Sequence, residues 1–477
     1  LASVRVRRRS SKRRSIWRAK PGRWEVETPV VSPTTPDPVP GTPPAGTGTQ
    51  APGTPQWTAE QLSLIRHLFR RAGFGITAAR AQRFLDDGGY AAAVEFLLDT
   101  TTPDPADTIS PPLASAWNSS TDRYTENVNA SVWWTRQMVA ANNPLRQKLA
   151  FFWHDHFANQ FNDGAPRIQQ AQLTTIKANM WGNFETFVLA MCRDTLLIRW
   201  LSGDLNRRRS PNVNFARELL ELFTLGIGNY SEADVRDAGR AFTGWHIASP
   251  DGPFFFNSSQ HDYDVKTVMG VTGTLDGMDI VRIATNSATS KRYICAKLWS
   301  YFAYPVATND PVIDPLVVEY SKALNIKDTL RVMFMHPEFV GTTAMNAMLK
   351  NPLEFYVGMH RAVGIDVRWA DRSAYWDMYD MGMVPYFPPN VAGWEANAYW
   401  ANVSQVSSRL DKVAWRVAGS SPAWLTAIPR EQRLNALADR LGIDGWGAAS
   451  TAALNAVSAN GSDLLHMAFL TPEYARN

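Results

Sequence analysis

Between Thr28 and Gln56, twenty of 29 residues are Pro, Gly or Thr. Proline removes backbone donors and favours an extended, semi-rigid chain, so this segment is a spacer and cannot build a core. It divides the 477-residue chain. What folds must follow it, over residues 57–477, with room for a subdivision near residue 340. Residues 1–27 form a basic arm, and arm and linker (28–56) together are expected to be disordered. The charge divides at the same place. Residues 1–23 carry ten basic side chains and no acid, whereas the remainder carries 38 basic and 44 acidic residues, a net of −6. The overall +4 thus merges a strongly basic arm with a mildly acidic globule.

Several classes fall away. No run approaches the ~18 apolar residues of a membrane-crossing helix. The paired arginines of the arm lead into Arg18, Lys20, Pro21 and Arg23 rather than an apolar stretch, so no signal peptide is read in this chain as given. Cys192 and Cys295 sit in apolar helical contexts far apart in sequence. Two buried free thiols are expected, one buried disulfide being the alternative, and neither has zinc-ligand spacing. Most of the 18 tryptophans adjoin other apolar residues and read as core.

The globule reads as mainly α: a large multi-helix body with a small β-hairpin insertion. Thr58 with Gln61 forms a capping box, and Leu62, Ile65 and Phe69 follow at helical spacing. Further helices are predicted throughout, among them 144–159, 184–201, 290–304 and 352–363. Ser210–Pro211 reads as a helix start that runs to about Leu225, and Ser231 with Asp234 caps the next. PFFFN (253–257) and VKTVMG (265–270) read as the two strands of one hairpin. A weak internal echo links residues 330–339 and 465–474, each an apolar helix running into Pro. It reflects either shared helix-ending chemistry or two related units.

Three polar islands interrupt this apolar pattern. In FFWHDHF (151–157), Leu149, Phe152, Trp153 and His156 share a helix face, and His154 points about 160° away. His156 is a candidate ligand or acid–base group, or else a bonded core histidine; Asp155 lies between the two. In NFARELLELFTLG (214–226), Asn214, Glu218 and Glu221 form a polar stripe, and Arg217 lies one turn from Glu221. Two carboxylates a turn apart imply a cation, a proton or an arginine between them, hence metal binding, paired-carboxylate chemistry or an anchoring ion network. In the third, HDYDVKTVMG (261–270), His261, Asp262 and Lys266 lie close together. Between the last two islands, Arg207, Arg208 and Arg209 precede a helix start, where an anion could bind; a solvated loop is the plainer reading.

Taken in order, these segments resemble the bacterial family known as domain of unknown function 1800. The resemblance rests on RRAGFG (70–75), FWHDHF (152–157), PNVNFARELLELFTLG (211–226), DVRDAGRAFTGW (234–245), HD with a later Lys and Gly (261–270), PPNVAGW (388–394) and TPEY (471–474). It implies a largely helical fold and assigns no activity. Members often look exported. Relatives often carry His where this chain has Phe223, so a site using that His would be incomplete here.

Two functions follow as expectations. One is a hydrolase using His156 with Glu218 and Glu221, assisted by Arg217 and Asn214. Its metal version places a divalent ion among His154, His156, Glu218, Glu221 and His261. The other is a non-catalytic helical scaffold or binding protein in which the same groups form an interhelix network. Separately, ten positive charges within 23 residues suit a polyanion such as nucleic acid, an anionic membrane or an acidic partner, with Trp17 and Trp24 able to stack or anchor.

Overall fold

The structure, a computed structural model, describes residues 59–111, 123–159, 166–345, 347–367, 372–417 and 423–477. The expectations for arm, linker and the Thr58 cap lie outside these residues. Among the described residues the chain forms 22 α-helices and two two-stranded antiparallel sheets. None of these helices is long and apolar enough to cross a membrane.

Helix ends follow local chemistry. Asn143 accepts a hydrogen bond from Leu145 N and puts Pro144 at the first turn of the helix Pro144–His156. Ser231 and Asp234 form the predicted capping box at the start of Glu232–Ala241. Asn351 and Glu354 form another at Pro352–Val363. The single helix expected over 184–201 is broken instead. Asp194 accepts from Leu197 N and starts a second helix, Thr195–Trp200, after Phe184–Cys192. Both cysteines are free and buried.

The segment expected to be one helix from Pro211 starts later and changes type. Asn214–Glu218 is α-helical, and Leu219–Leu225 is a π-helix. Thr224 Oγ1 donates to Leu219 O at 2.6 Å. The widened turn frees carbonyls that side chains from elsewhere then bond. His156 Nε2 donates to Phe223 O at 3.0 Å, Tyr293 Oη to Leu222 O at 2.8 Å and Asn229 Nδ2 to Leu225 O at 3.1 Å.

The strand segments pair differently from the expectation. Phe254–Phe256 pairs with Trp245–Ile247, and Lys266–Val268 with Val271–Gly273, so each belongs to a separate ribbon. Met269 and Gly270, read as strand, are the turn. Both have positive φ, 50° and 80°, as a two-residue hairpin turn requires.

The two ends of the described chain close over the middle. From the first helix, Ala59–Arg71, Arg66 pairs with Asp439 at 2.7 Å and Arg70 donates to Gly442 O at 2.8 Å. His67 Nε2 bonds Phe339 O at 2.8 Å. Lys350 N donates to Ala475 O at 2.9 Å and Asn477 N to Met348 O at 2.8 Å. The chain on either side of residue 340 is therefore knitted together. The two echoed segments end alike: His336 and Thr471 each cap a short turn that begins with proline.

Candidate functional site

The helix Pro144–His156 is enclosed on nearly every side, so successive residues meet different neighbours. His156 reaches the π-helix and bonds Phe223 O. Burial, with the charge of Lys297 adding to it, holds its pKa well below the usual histidine value. His154 points the other way and accepts from Tyr386 N at 3.1 Å. Burial brings its pKa down to about 3. Both rings are neutral core groups bonded to backbone.

Most of the remaining expected residues also have partners, each in its own place. Arg217 makes a bidentate pair with Glu232, at 2.7 and 2.8 Å, rather than with Glu221. Glu221 accepts from the Tyr230 hydroxyl. Glu218 is half-buried, and its pKa is raised by burial and then by Glu221, with Arg217 opposing. Asn214 Nδ2 donates to Leu201 O. His261 Nδ1 bonds Thr243 O at 2.8 Å. Asp262 pairs with Arg240 at 2.8 Å, and the Lys266 ammonium donates to the carbonyls of Asp262 and Asp264. Arg207, Arg208 and Arg209 are exposed, as a solvated loop would be, and Arg208 has Asp264 at 3.9 Å. Among the described residues, no group of three or more His, Cys, Asp or Glu side chains is placed to hold a metal ion. The donors named for a divalent ion do not gather: His154, His156 and His261 are bonded to backbone groups, and Glu221 to the Tyr230 hydroxyl.

A concave site exists elsewhere: a cavity of about 340 Å³, near the lower end of ligand-pocket sizes. None of His154, His156, Glu218, Glu221 or His261 lines it; Asp155 does. Standing between the two histidines, it leaves the helix in a third direction. Its Oδ1 accepts from Trp394 N at 2.8 Å, and Oδ2 makes no hydrogen bond among the described residues. Burial pushes the carboxyl up to about 6, against the pull of the Trp394 N–H and of Lys297. The partner loop can approach because residue 393 is glycine. Gly393 has φ of 87°, and a Cβ there would overlap Asp155 Oδ1.

The opposite wall is the helix Ala288–Phe302. Tyr293, Ala296, Lys297, Ser300 and Tyr301 line the cavity at i, i+3, i+4, i+7 and i+8, one helical face. Lys297 is partly buried and makes no ion pair or hydrogen bond among the described residues; its ammonium lies 5.5 Å from the Tyr293 ring centre. Burial lowers its pKa, with Asp155 opposing.

The floor is charged and locked. Glu354 Oε1 pairs with Lys148 at 2.6 Å, both buried, while Oε2 accepts from Asn351 N at 3.0 Å and Asn477 Nδ2 at 2.6 Å. Arg71, the last residue of the first helix, is 1 % exposed and lines the cavity. Its guanidinium donates to Ala344 O, and its Nε has no partner among the described residues. Burial lowers its pKa to about 9, so it stays cationic at neutral pH. Trp394, stacked on Phe151 at 5.3 Å between ring centres, and Trp400 add flat apolar surface.

Three motifs thus meet at this cavity: RRAGFG through Arg71, FWHDHF through Asp155, and PPNVAGW through Gly393 and Trp394. Lys297, Glu354 and Lys148 were missed in the sequence. The available signal was a lysine on an otherwise apolar helical face. Neither the curated proteins nor the solved structures contain a match to this chain. Residues 67–476 match the family described as Protein of unknown function (DUF1800), and the chain belongs to that family.

Proposed function

We propose that the protein is a small-molecule hydrolase whose site is this cavity, with Asp155 as proton carrier and Lys297 as electrostatic partner. The observation that carries this reading is an Asp155 carboxyl pushed up to about 6, lining a cavity that it shares with a lysine that makes no ion pair or hydrogen bond among the described residues. Structural ion pairs spend both charges on each other, as Glu354 and Lys148 do. Asp155 and Lys297 are not within ion-pair distance, which leaves both for a third party.

In the proposed reaction a water oxygen attacks an ester or amide carbonyl, and its proton passes to Asp155 Oδ2. The tetrahedral oxyanion forms beside Lys297. The C–O or C–N bond then breaks, and Asp155 returns the proton to the leaving group. The base must be ionised, so kcat/KM rises as pH rises through about 6 and then levels. Release of 4-nitrophenol from short 4-nitrophenyl esters tests this. Asp155→Asn keeps the acceptor for Trp394 N and should lower kcat/KM at least about 100-fold. Equal rates for the two proteins would sink the reading.

A second reading, a binding protein without turnover, is favoured by the enclosed network in which His156 bonds Phe223 O and Arg217 bonds Glu232. Ligand binding with no hydrolysis in either protein would select it. The basic residues 1–23 carry a separate proposal, tethering to a polyanion. Removing residues 1–27 should abolish salt-sensitive binding to duplex DNA or anionic vesicles; an unchanged salt dependence would end that idea.

A further inference from the structure

We infer that the ligand of this cavity is a small organic anion, its charged group held by Lys297 and Arg71 and its flat apolar body lying against Trp394 and Trp400. This rests on the reading of the cavity as the functional site, and not on hydrolysis taking place there.

Charge comes first. Arg71 and Lys297 line the cavity without an ion pair among the described residues, with Glu354 acting on the first and Asp155 on the second at longer range, whereas Glu354 is paired with Lys148 and bonded by Asn351 and Asn477. Of the enclosed carboxylates, this leaves Asp155 alone against two cations; Glu395, also on the lining, is exposed at the rim. Behind the floor stands one more buried cation, Arg409, whose pKa burial lowers to about 10 and which donates to Lys350 O at 2.7 Å. Lys350 donates to Tyr474 O and Arg476 O, and burial takes its pKa well below the usual lysine value. Where water is excluded, a positive surplus acts over a longer range than at a surface and favours an anion.

Unmet bonding comes second. Arg71 is buried with Nε unpartnered among the described residues, and its guanidinium fork is suited to a planar or tetrahedral oxyanion. The Lys297 ammonium is partly withdrawn from water and makes no ion pair among the described residues, a cost that a ligand carboxylate or phosphate would offset. Shape comes third. Trp394 stacked on Phe151, with Trp400 beside it, offers apolar planes next to the cationic wall.

Calorimetric titration of the full chain with benzoate, phenyl phosphate, benzamide and benzylamine tests this. The anions are expected to bind at least about tenfold more tightly than benzamide, and benzylamine weakest. The benzoate and phenyl phosphate arms distinguish a carboxylate from a phosphate ligand. Lys297→Gln, with folding checked by circular dichroism, should erase the preference for anions and leave benzamide binding unchanged. The series on the unaltered protein stands even where that variant fails to fold. Equal affinity for benzamide, tighter binding of benzylamine, or no binding of any probe at millimolar concentration overturns the inference. Asp155→Asn separates the two claims. Anion binding with no Asp155-dependent hydrolysis leaves this inference standing and removes the hydrolase reading. Asp155-dependent hydrolysis with no preference for anions does the reverse.

Discussion

The helix Pro144–His156 meets two kinds of surroundings within three residues. On the sides of His154 and His156, each ring has found a backbone group, and the space around it is filled by Trp134, Phe157 and Phe184. On the side of Asp155, one carboxylate oxygen is bonded and the residue lines a cavity. Burial perturbs all three pKa values, so perturbation alone does not separate structure from chemistry. Whether the group faces packed side chains or a cavity does. Each histidine is bonded to backbone through Nε2 inside packed core, although His156 Nδ1 has no partner among the described residues, whereas Asp155 and Lys297 both line the cavity.

If that contrast holds, substitutions on the two sides should fail differently. The largest effect is expected at Gly393. Gly393→Val forces a side chain onto Asp155 at positive φ and should cost about 3 kcal/mol or more in urea unfolding, with loss of ligand binding. Near-native stability would show that the loop does not need the Asp155 contact. His156→Ala removes the donor to Phe223 O and opens a void, for about 3 kcal/mol. The folded fraction should still bind ligand like the parent, and a selective loss of binding would move His156 to the functional side.

The pH dependence comes next. His67 and His154 are held at about 3 and His360 at about 4 by burial, and His156 is also lowered. The unfolded chain therefore takes up more protons than the folded one as pH falls from about 6.5 towards 4. Stability should decline across that window by up to ~1.4 kcal/mol per pH unit for each ring. Asp155 and Asp194, both raised to about 6, have the opposite sign, with stability falling as pH rises from about 4 to 6. With His336 lowered and Glu218 raised as well, five rings against three carboxyls give a net loss on acidification, readable as a falling melting temperature. A flat profile would mean that the histidines are not enclosed.

A smaller effect of opposite direction is expected at Lys297. Lys297→Met removes a partly buried charge that makes no ion pair among the described residues and is opposed only at longer range by Asp155. It should leave stability unchanged or raise it by about 1 kcal/mol while abolishing anion binding. A large destabilisation would place Lys297 with the structural groups. The smallest effect is expected at Arg217→Ala, since its pair with Glu232 is largely exposed and solvent-screened. The melting curve should not move measurably.

Much of the fold was legible because helix ends carry their own chemistry. The Ser231–Asp234 box and the span Pro352–Val363 follow from capping residues and periodicity, which are local. The π segment Leu219–Leu225 was not, since its freed carbonyls are bonded by His156 and Tyr293 from distant helices. The candidate site was legible in part. FWHDHF drew notice as a polar island, but sequence gives no sign of which of three adjacent polar groups meets a void. Lys297 sits in a stripe with Tyr293 and Ala296 that reads as core until the opposite wall is in place. Concavity comes from elements as far apart as Arg71 and Trp400, and no window along the chain contains it.

Gly393 has a consequence for how such a site is inherited. The carboxyl that the proposed chemistry depends on is positioned by a residue with no side chain to react, bind or titrate. One base change in its codon could disable the site while every chemically active group stayed in the gene. Tracking the lineage of this activity by its acids and bases would miss the position where it is most cheaply lost.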